Sequence, residues 1–306
     1  MPACAQAFAE PSRCRRAAGR VFPDMARRPS LGEVLLGGVV VAMVTFVASQ
    51  VVASPRRDSG ASSGRALTGR DSASIAEQYR SQVSGRGEAY VVPAWLAEIH
   101  IARLQAAAAR DVAGEGSMPA IAPDSVRALV ATAEPGSYLR AMLDEDGGVV
   151  TRWLERAEPI RVWVQPHSTS AGFSPELLAP ARRGFTAWND LALGVSFEVV
   201  DDSLGADVHV TWSDRMPKAQ QLGTTFRMTG GSGWIAFGHV VLSTSYDIYT
   251  VQNTARHEAG HVLGLGHSPE SGDIMAAATQ GRQYILTDAD RRTATGLYSL
   301  PPGPLP

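Results

Sequence analysis

Residues 257–267 read His-Glu-Ala-Gly-His-Val-Leu-Gly-Leu-Gly-His, and this stretch limits the fold more tightly than any other. His257 and His261 stand at i and i+4, so on a helix their imidazoles leave one face about a turn apart. That spacing suits two nitrogens at ~2.0–2.1 Å from one zinc ion. Glu258 sits beside them without having to be a ligand, placed to take a proton from water at the metal. His267 follows His261 by six residues. On a continuing helix it would be rotated about 240° away, at ~100° per residue, so the helix must stop before it. Gly264 tolerates the positive φ that ends a helix and turns the chain back. The competing reading is an ordinary buried amphipathic helix with satisfied histidines, which asks for neither the glycine nor the third histidine.

Composition narrows the surroundings. The 306 residues are 44% hydrophobic and 19% charged, which excludes a fully disordered chain, a collagen-like chain and a polytopic membrane protein. A net charge of -2 gives no basic field for nucleic acid, and no nucleic-acid partner is expected. The two cysteines, Cys4 and Cys14, precede everything else of interest. No thiolate can therefore hold a metal in the later chain, and His, Asp or Glu must do so.

Val34 to Ser54 is a run of 21 residues without a charge. A helix of that length crosses the ~30 Å hydrocarbon layer, so residues 34–54 are expected to be a transmembrane or signal-anchor helix. A cleaved signal peptide, leaving a secreted protein, is the alternative; its apolar region is usually ~7–15 residues. Residues 1–33 carry six Arg against Glu10, Asp24 and Glu33, which favours a cytoplasmic N-terminal tail and a single-pass protein with its later domain outside the cytoplasm. Met25, followed by Ala-Arg-Arg, competes with Met1 as the start of a basic leader. Residues 55–74 are rich in Ser, Gly and Arg and read as a flexible tether. Residues 75–157 read as a helical spacer or brace, with helical patterns to about residue 110 and near 124–133, 137–145 and 149–157. A regulatory pro-segment competes with that reading, and the acidic run Asp144-Glu145-Asp146 is its nearest candidate for covering a metal.

From residue 158 the pattern changes. Strands are expected at 160–164, 195–199, 206–212, 223–228 and 234–243. Helices are expected from Ser174, from about 251 to 263, and from Thr287 to Leu300, with Thr287 and Asp290 as a capping pair. This order gives an α+β domain over residues 158–300, followed by a tail at 301–306.

The histidine pattern resembles that of the metzincin zinc peptidases, and of their matrixin-like branch. His257, Glu258, His261, Gly264 and His267 fill every fixed position of that motif. Met275, in Ser-Gly-Asp-Ile-Met eight residues after His267, resembles the methionine that metzincins carry in a turn beneath the metal. Ser268 and the closing Leu286-Thr287…Asp290…Leu297-Tyr298 are also matrixin-like. The resemblance covers about residues 159–300. It implies a metzincin-like domain with a twisted mixed β-sheet, an active-site helix, a Met-turn and a C-terminal helix, here preceded by a membrane anchor and a helical stalk. It also implies a metalloendopeptidase: one catalytic zinc on His257, His261 and His267, Glu258 as general base toward zinc-activated water, Met275 as a structural floor, and a polypeptide substrate. The edge strand at 223–228 would pair with that substrate, and the wall of its specificity pocket would lie between Ala276 and Ile285, including Tyr284. The rival is a membrane-anchored zinc-binding interaction protein without proteolytic activity.

Two departures from the family bear on cofactors and control. His209 and His239 lack the His-x-Asp company of a structural zinc site, so none is expected. Asp201, Asp202 and Asp207 are the residues a Ca2+ ion would use, against the plainer reading of turn and strand-edge residues. No cysteine lies between Arg57 and Arg256, so the thiolate that caps the metal in matrixin pro-segments is missing.

Overall fold

The computed structural model describes residues 79, 92–112, 121–216, 218, 220–229, 233–278 and 285–306, all within the unit Val47–Pro306. Three helices come first: α1 (Ala94–Val112), α2 (Pro123–Ala133) and α3 (Leu139–Glu145). A two-residue strand, β1 (Val149–Val150), leads to β2 (Ile160–Val164) and then α4 (Leu178–Thr186), which a 3₁₀ turn at Pro175–Leu177 introduces. Ser174 caps that turn by accepting from the Glu176 amide. Next come β3 (Phe197–Val200), β4 (Val208–Ser213), β5 (Gly223–Thr229), β6 (Ile235–Ser243), α5 (Ile248–Leu263), α6 (Asp288–Ser299) and β7 (Gly303–Pro304).

Five strands make one mixed sheet in the order β3-β2-β4-β6-β5. All neighbours are parallel except β5, which runs antiparallel to β6 at one edge. The central strands are β-branched and buried on both faces, as parallel strands between covering helices must be. On one face Val208, Val210, Val240 and Leu242 join the main core with Ala255, Ala259 and Val262 of α5 and Phe185 of α4. On the other face Phe226, Met228 and Phe237 cluster with Ile101 and Leu104 of α1 and with Tyr79. The sheet thus separates α5 from α1.

The segment before the sheet belongs to the main core. Leu139, Met142, Leu143, Val150 and Trp153 are buried in it, while Leu154 is only half-buried. The helix expected near 149–157 does not form. Gly147 and Gly148 adopt positive φ, 67° and 74°, and end α3. Val149 and Val150 then pair antiparallel with Pro304 and Gly303. The C-terminal residues are accordingly part of a small second sheet. Among the described residues no helix is long and apolar enough to cross a membrane. The expected anchor at 34–54, the N-terminal tail and tether on either side of it, and Tyr284 lie outside the described residues.

Candidate metal centre

Helix α5 is fixed at both ends. Asp247 caps it by accepting from the Tyr249 and Thr250 amides, each at 2.9 Å. Gly264 ends it with φ 112°, and its amide returns to the His261 carbonyl. A side chain at 264 would also overlap the Thr151 carbonyl, so the position needs glycine for two reasons. The carbonyls of the last turn are satisfied from elsewhere. Arg227 of β5 donates to the His261 carbonyl at 2.7 Å, the Trp153 indole to that of Val262 at 2.9 Å, and the Tyr298 hydroxyl to that of Leu263 at 3.0 Å. Three elements thereby hold the helix end that a metal site needs rigid.

The chain returns after Gly264, and His257, His261 and His267 offer ligand atoms that all lie within 4.8 Å of one another. Carbonyl oxygens can only accept, so His257 Nδ1 donates to the Ile274 carbonyl at 2.7 Å and His261 Nδ1 to that of Leu265 at 2.8 Å. Each Nε2 lone pair is then left for a metal, the tautomer that ligation requires. His261 is buried, while His257 and His267 keep part of their surface open to solvent. Burial pushes His267 down to about 4, and the neighbouring charges of His257 and Arg227 add to the effect. Burial also lowers His261, with His257 and His267 next in effect. Both shifts favour the neutral imidazole.

Glu258 is buried on the same helix, next to His257. Burial raises its pKa, offset partly by His257 and by a hydrogen bond from Thr225. The Thr225 hydroxyl lies 2.6 Å from Glu258 Oε2 and 3.1 Å from the Glu258 carbonyl. A Cβ at Gly223 would come within 2.7 Å of Glu258 Oε1, so strand β5 leaves room for this carboxylate.

Met275 lies beneath, fully buried, its sulfur directly under Gly260. Its turn is held by Asp290 of α6, which accepts from the Ile274 amide at 3.0 Å and the Met275 amide at 3.3 Å. Asp290 also forms the capping box with Thr287. Ser268 donates to Asp273 and pairs through its amide with the Met275 carbonyl, closing the loop. The sequence shows the histidines, Glu258 and Met275, and it shows Asp290 as a cap. It does not show Thr225, Arg227 or the grip of Asp290 on the turn, because those partners are brought together only by the sheet and by α6.

The other candidate ligands lie elsewhere. His209 and His239 are buried on the α1 side of the sheet beside His100. Asp207 binds Arg103 and Arg156, each at 3.1 Å, and accepts from the Arg161 amide. Asp202 accepts from the Leu204 and Gly205 amides, and Asp201 is exposed. Among the described residues His257, His261 and His267 are the one group of three or more His, Cys, Asp or Glu side chains close enough to share an ion.

A parallel-containing mixed sheet, a helix on one face that carries His257 and His261, a glycine-ended return to a third histidine and a methionine turn under it are the features of a metzincin-type domain. Residues 167–299 match the Matrixin family model, so this part of the chain is a matrixin-like domain. The chain is also 29% identical over 116 residues to Metalloendoproteinase 1-MMP of Arabidopsis thaliana, an alignment that covers 33% of this chain and 31% of that protein. The chain thus spans about a third of that relative's length.

Proposed function

We propose that residues 158–300 are a zinc-dependent endopeptidase that cleaves polypeptides, with His257, His261 and His267 as the metal ligands, Glu258 as the general base and Met275 as the floor of the site. The observation that carries this reading is the convergence of three imidazoles on one another, two with Nδ1 spent on backbone carbonyls, with the buried Glu258 next to His257 in the chain. Three neutral nitrogen donors fit zinc and leave one coordination position open. Zinc, when bound, supplies Lewis acidity toward a carbonyl and acidifies water. Glu258 takes the proton of the attacking water and returns it to the amine nitrogen as the C–N bond breaks. Thr225 donates to one oxygen of the Glu258 carboxylate and holds the side chain in place. An extended peptide would add to the outer edge of β5 by main-chain pairing. The apolar run at 34–54, a reading of sequence alone, would anchor the chain in a membrane with this domain outside the cytoplasm. Glu258→Gln tests the role of the base. The variant should keep its zinc and lose about 10²–10⁴-fold in peptide hydrolysis. Parental hydrolysis by that variant would refute the mechanism.

A further inference from the structure

Residues 138–153 touch the supports of all three histidines. The Tyr138 hydroxyl donates to Asp290 Oδ1 at 3.1 Å, and the Tyr138 amide to Thr293 at 3.0 Å. Asp290 holds the amides of Ile274 and Met275, and the Ile274 carbonyl orients His257. A continuous line of hydrogen bonds therefore runs from Tyr138 through Asp290 and Ile274 to the first ligand. Met142 packs on Gly266, where a Cβ would sit 2.8 Å from Met142 Cγ, one residue before His267. Thr151 fills the space over Gly264, and Trp153 binds the Val262 carbonyl, next to His261. Tyr138, Leu139, Met142, Leu143 and Trp153 are each no more than 5% exposed.

A segment that covers a metal and is later removed would contact the open side of the site and leave the ligand supports intact. This segment does the reverse: it packs behind the ligands, where its loss would take one donor from Asp290 and uncover Gly264 and Gly266. We infer that Tyr138 and Met142 are positioning residues of the metal centre, and that residues 138–153 are a permanent brace of the catalytic unit. Tyr138 acts through Asp290 on the turn that carries Ile274 and Met275. Met142 acts through Gly266 on the approach to His267. The inference rests on the proposed zinc site, and it places the start of the functional domain before residue 158.

The test uses the full chain with Tyr138→Phe and Met142→Ala, and Arg140→Ala as a control that breaks only the exposed pair with Glu134. Zn2+ affinity is measured by chelator competition, the Co2+-loaded form by its visible spectrum, and peptide hydrolysis by kcat and KM. Supporting-residue changes at metal sites typically cost 10–100-fold in affinity or activity. Tyr138→Phe and Met142→Ala should weaken Zn2+ about tenfold, alter the Co2+ spectrum, and lower kcat with KM nearly unchanged. Arg140→Ala should match the parent. Should Met142→Ala fail to fold, Tyr138→Phe decides, since it opens no cavity. A folded Tyr138→Phe chain with parental Zn2+ affinity, Co2+ spectrum and kcat overturns the inference. A zinc-loaded parent that cleaves no peptide overturns the proposed function alone, because the affinity and spectrum still read the brace. A parent that takes up no zinc overturns both.

Discussion

Gly260 occupies the inner face of α5 between His257 and His261, and a single methyl group there would overlap the Met275 sulfur and press on Trp188 at 2.9 Å. Gly260→Ala should therefore destabilise the protein by about 1–3 kcal/mol, the usual range for overpacking a core, and displace the Met275 turn. A denaturant midpoint equal to the parent's would show that Met275 yields freely. Thr225 gives a sharper test, because its hydroxyl bonds the carboxylate assigned as the base. Thr225→Val keeps the shape and removes the donor, and Thr225→Ser restores it. Loss of a hydrogen bond to a charged group is worth about 1.5 kcal/mol, so turnover should fall about tenfold in the valine variant and recover in the serine one. Zinc content should stay the same in both. Equal turnover in all three chains would remove Thr225 from the account.

Helix α1 and the sheet face beneath it add to the pH response of the fold, beside the lowered His261 and His267. His100 stacks on Phe237 with ring centroids 4.5 Å apart and bonds the Tyr79 hydroxyl at 2.6 Å. His209, His239 and Arg103 face it, and Arg103 is paired with Asp207, which also holds Arg156. Burial lowers all three histidines, His209 to about 4 and His239 to about 3, with His100 lower still. Above pH 6.5 both folded and unfolded chains hold them neutral. Below it the unfolded chain binds protons that the folded chain cannot, so stability falls as pH falls, by up to about 1.4 kcal/mol per pH unit for each histidine. His100→Phe should flatten the slope of urea stability between pH 6.5 and 4.5 relative to the parent, and an unchanged slope would contradict the assignment. This cluster also shows where sequence reasoning stops. The strands from Ile160 to Ser243 are legible because β-branched residues mark them, and the approach of His257, His261 and His267 is legible because helical spacing and Gly264 dictate it. His100 sits on a helix whose partner face is chosen only by the folded sheet, so its pairing with His209 is not. The helix expected near 149–157 fails for a related reason: Val149 and Val150 are decided by strand pairing with Gly303 and Pro304, more than 150 residues away.

For the whole molecule, the main core runs without a break from Val126 to Leu300, so the expected boundary at residue 158 falls inside it. A chain beginning at Glu158 should have a lower thermal midpoint and lower turnover than one beginning at Pro55; higher turnover would instead mark the earlier residues as a removable cover. Topology is tested separately, since an anchor at 34–54 predicts that protease added outside intact cells reaches residues 158–300. The central claim is that three histidines hold one zinc that makes this chain a peptidase. The most direct measurement is metal analysis of the full chain coupled to a peptide-library digest, before and after chelation and after zinc is returned. The account predicts one zinc per chain, internal cleavage of peptides, loss of both on chelation and recovery of both with zinc. Cleavage that persists in the metal-free chain, or a full complement of zinc with no cleavage, would contradict it.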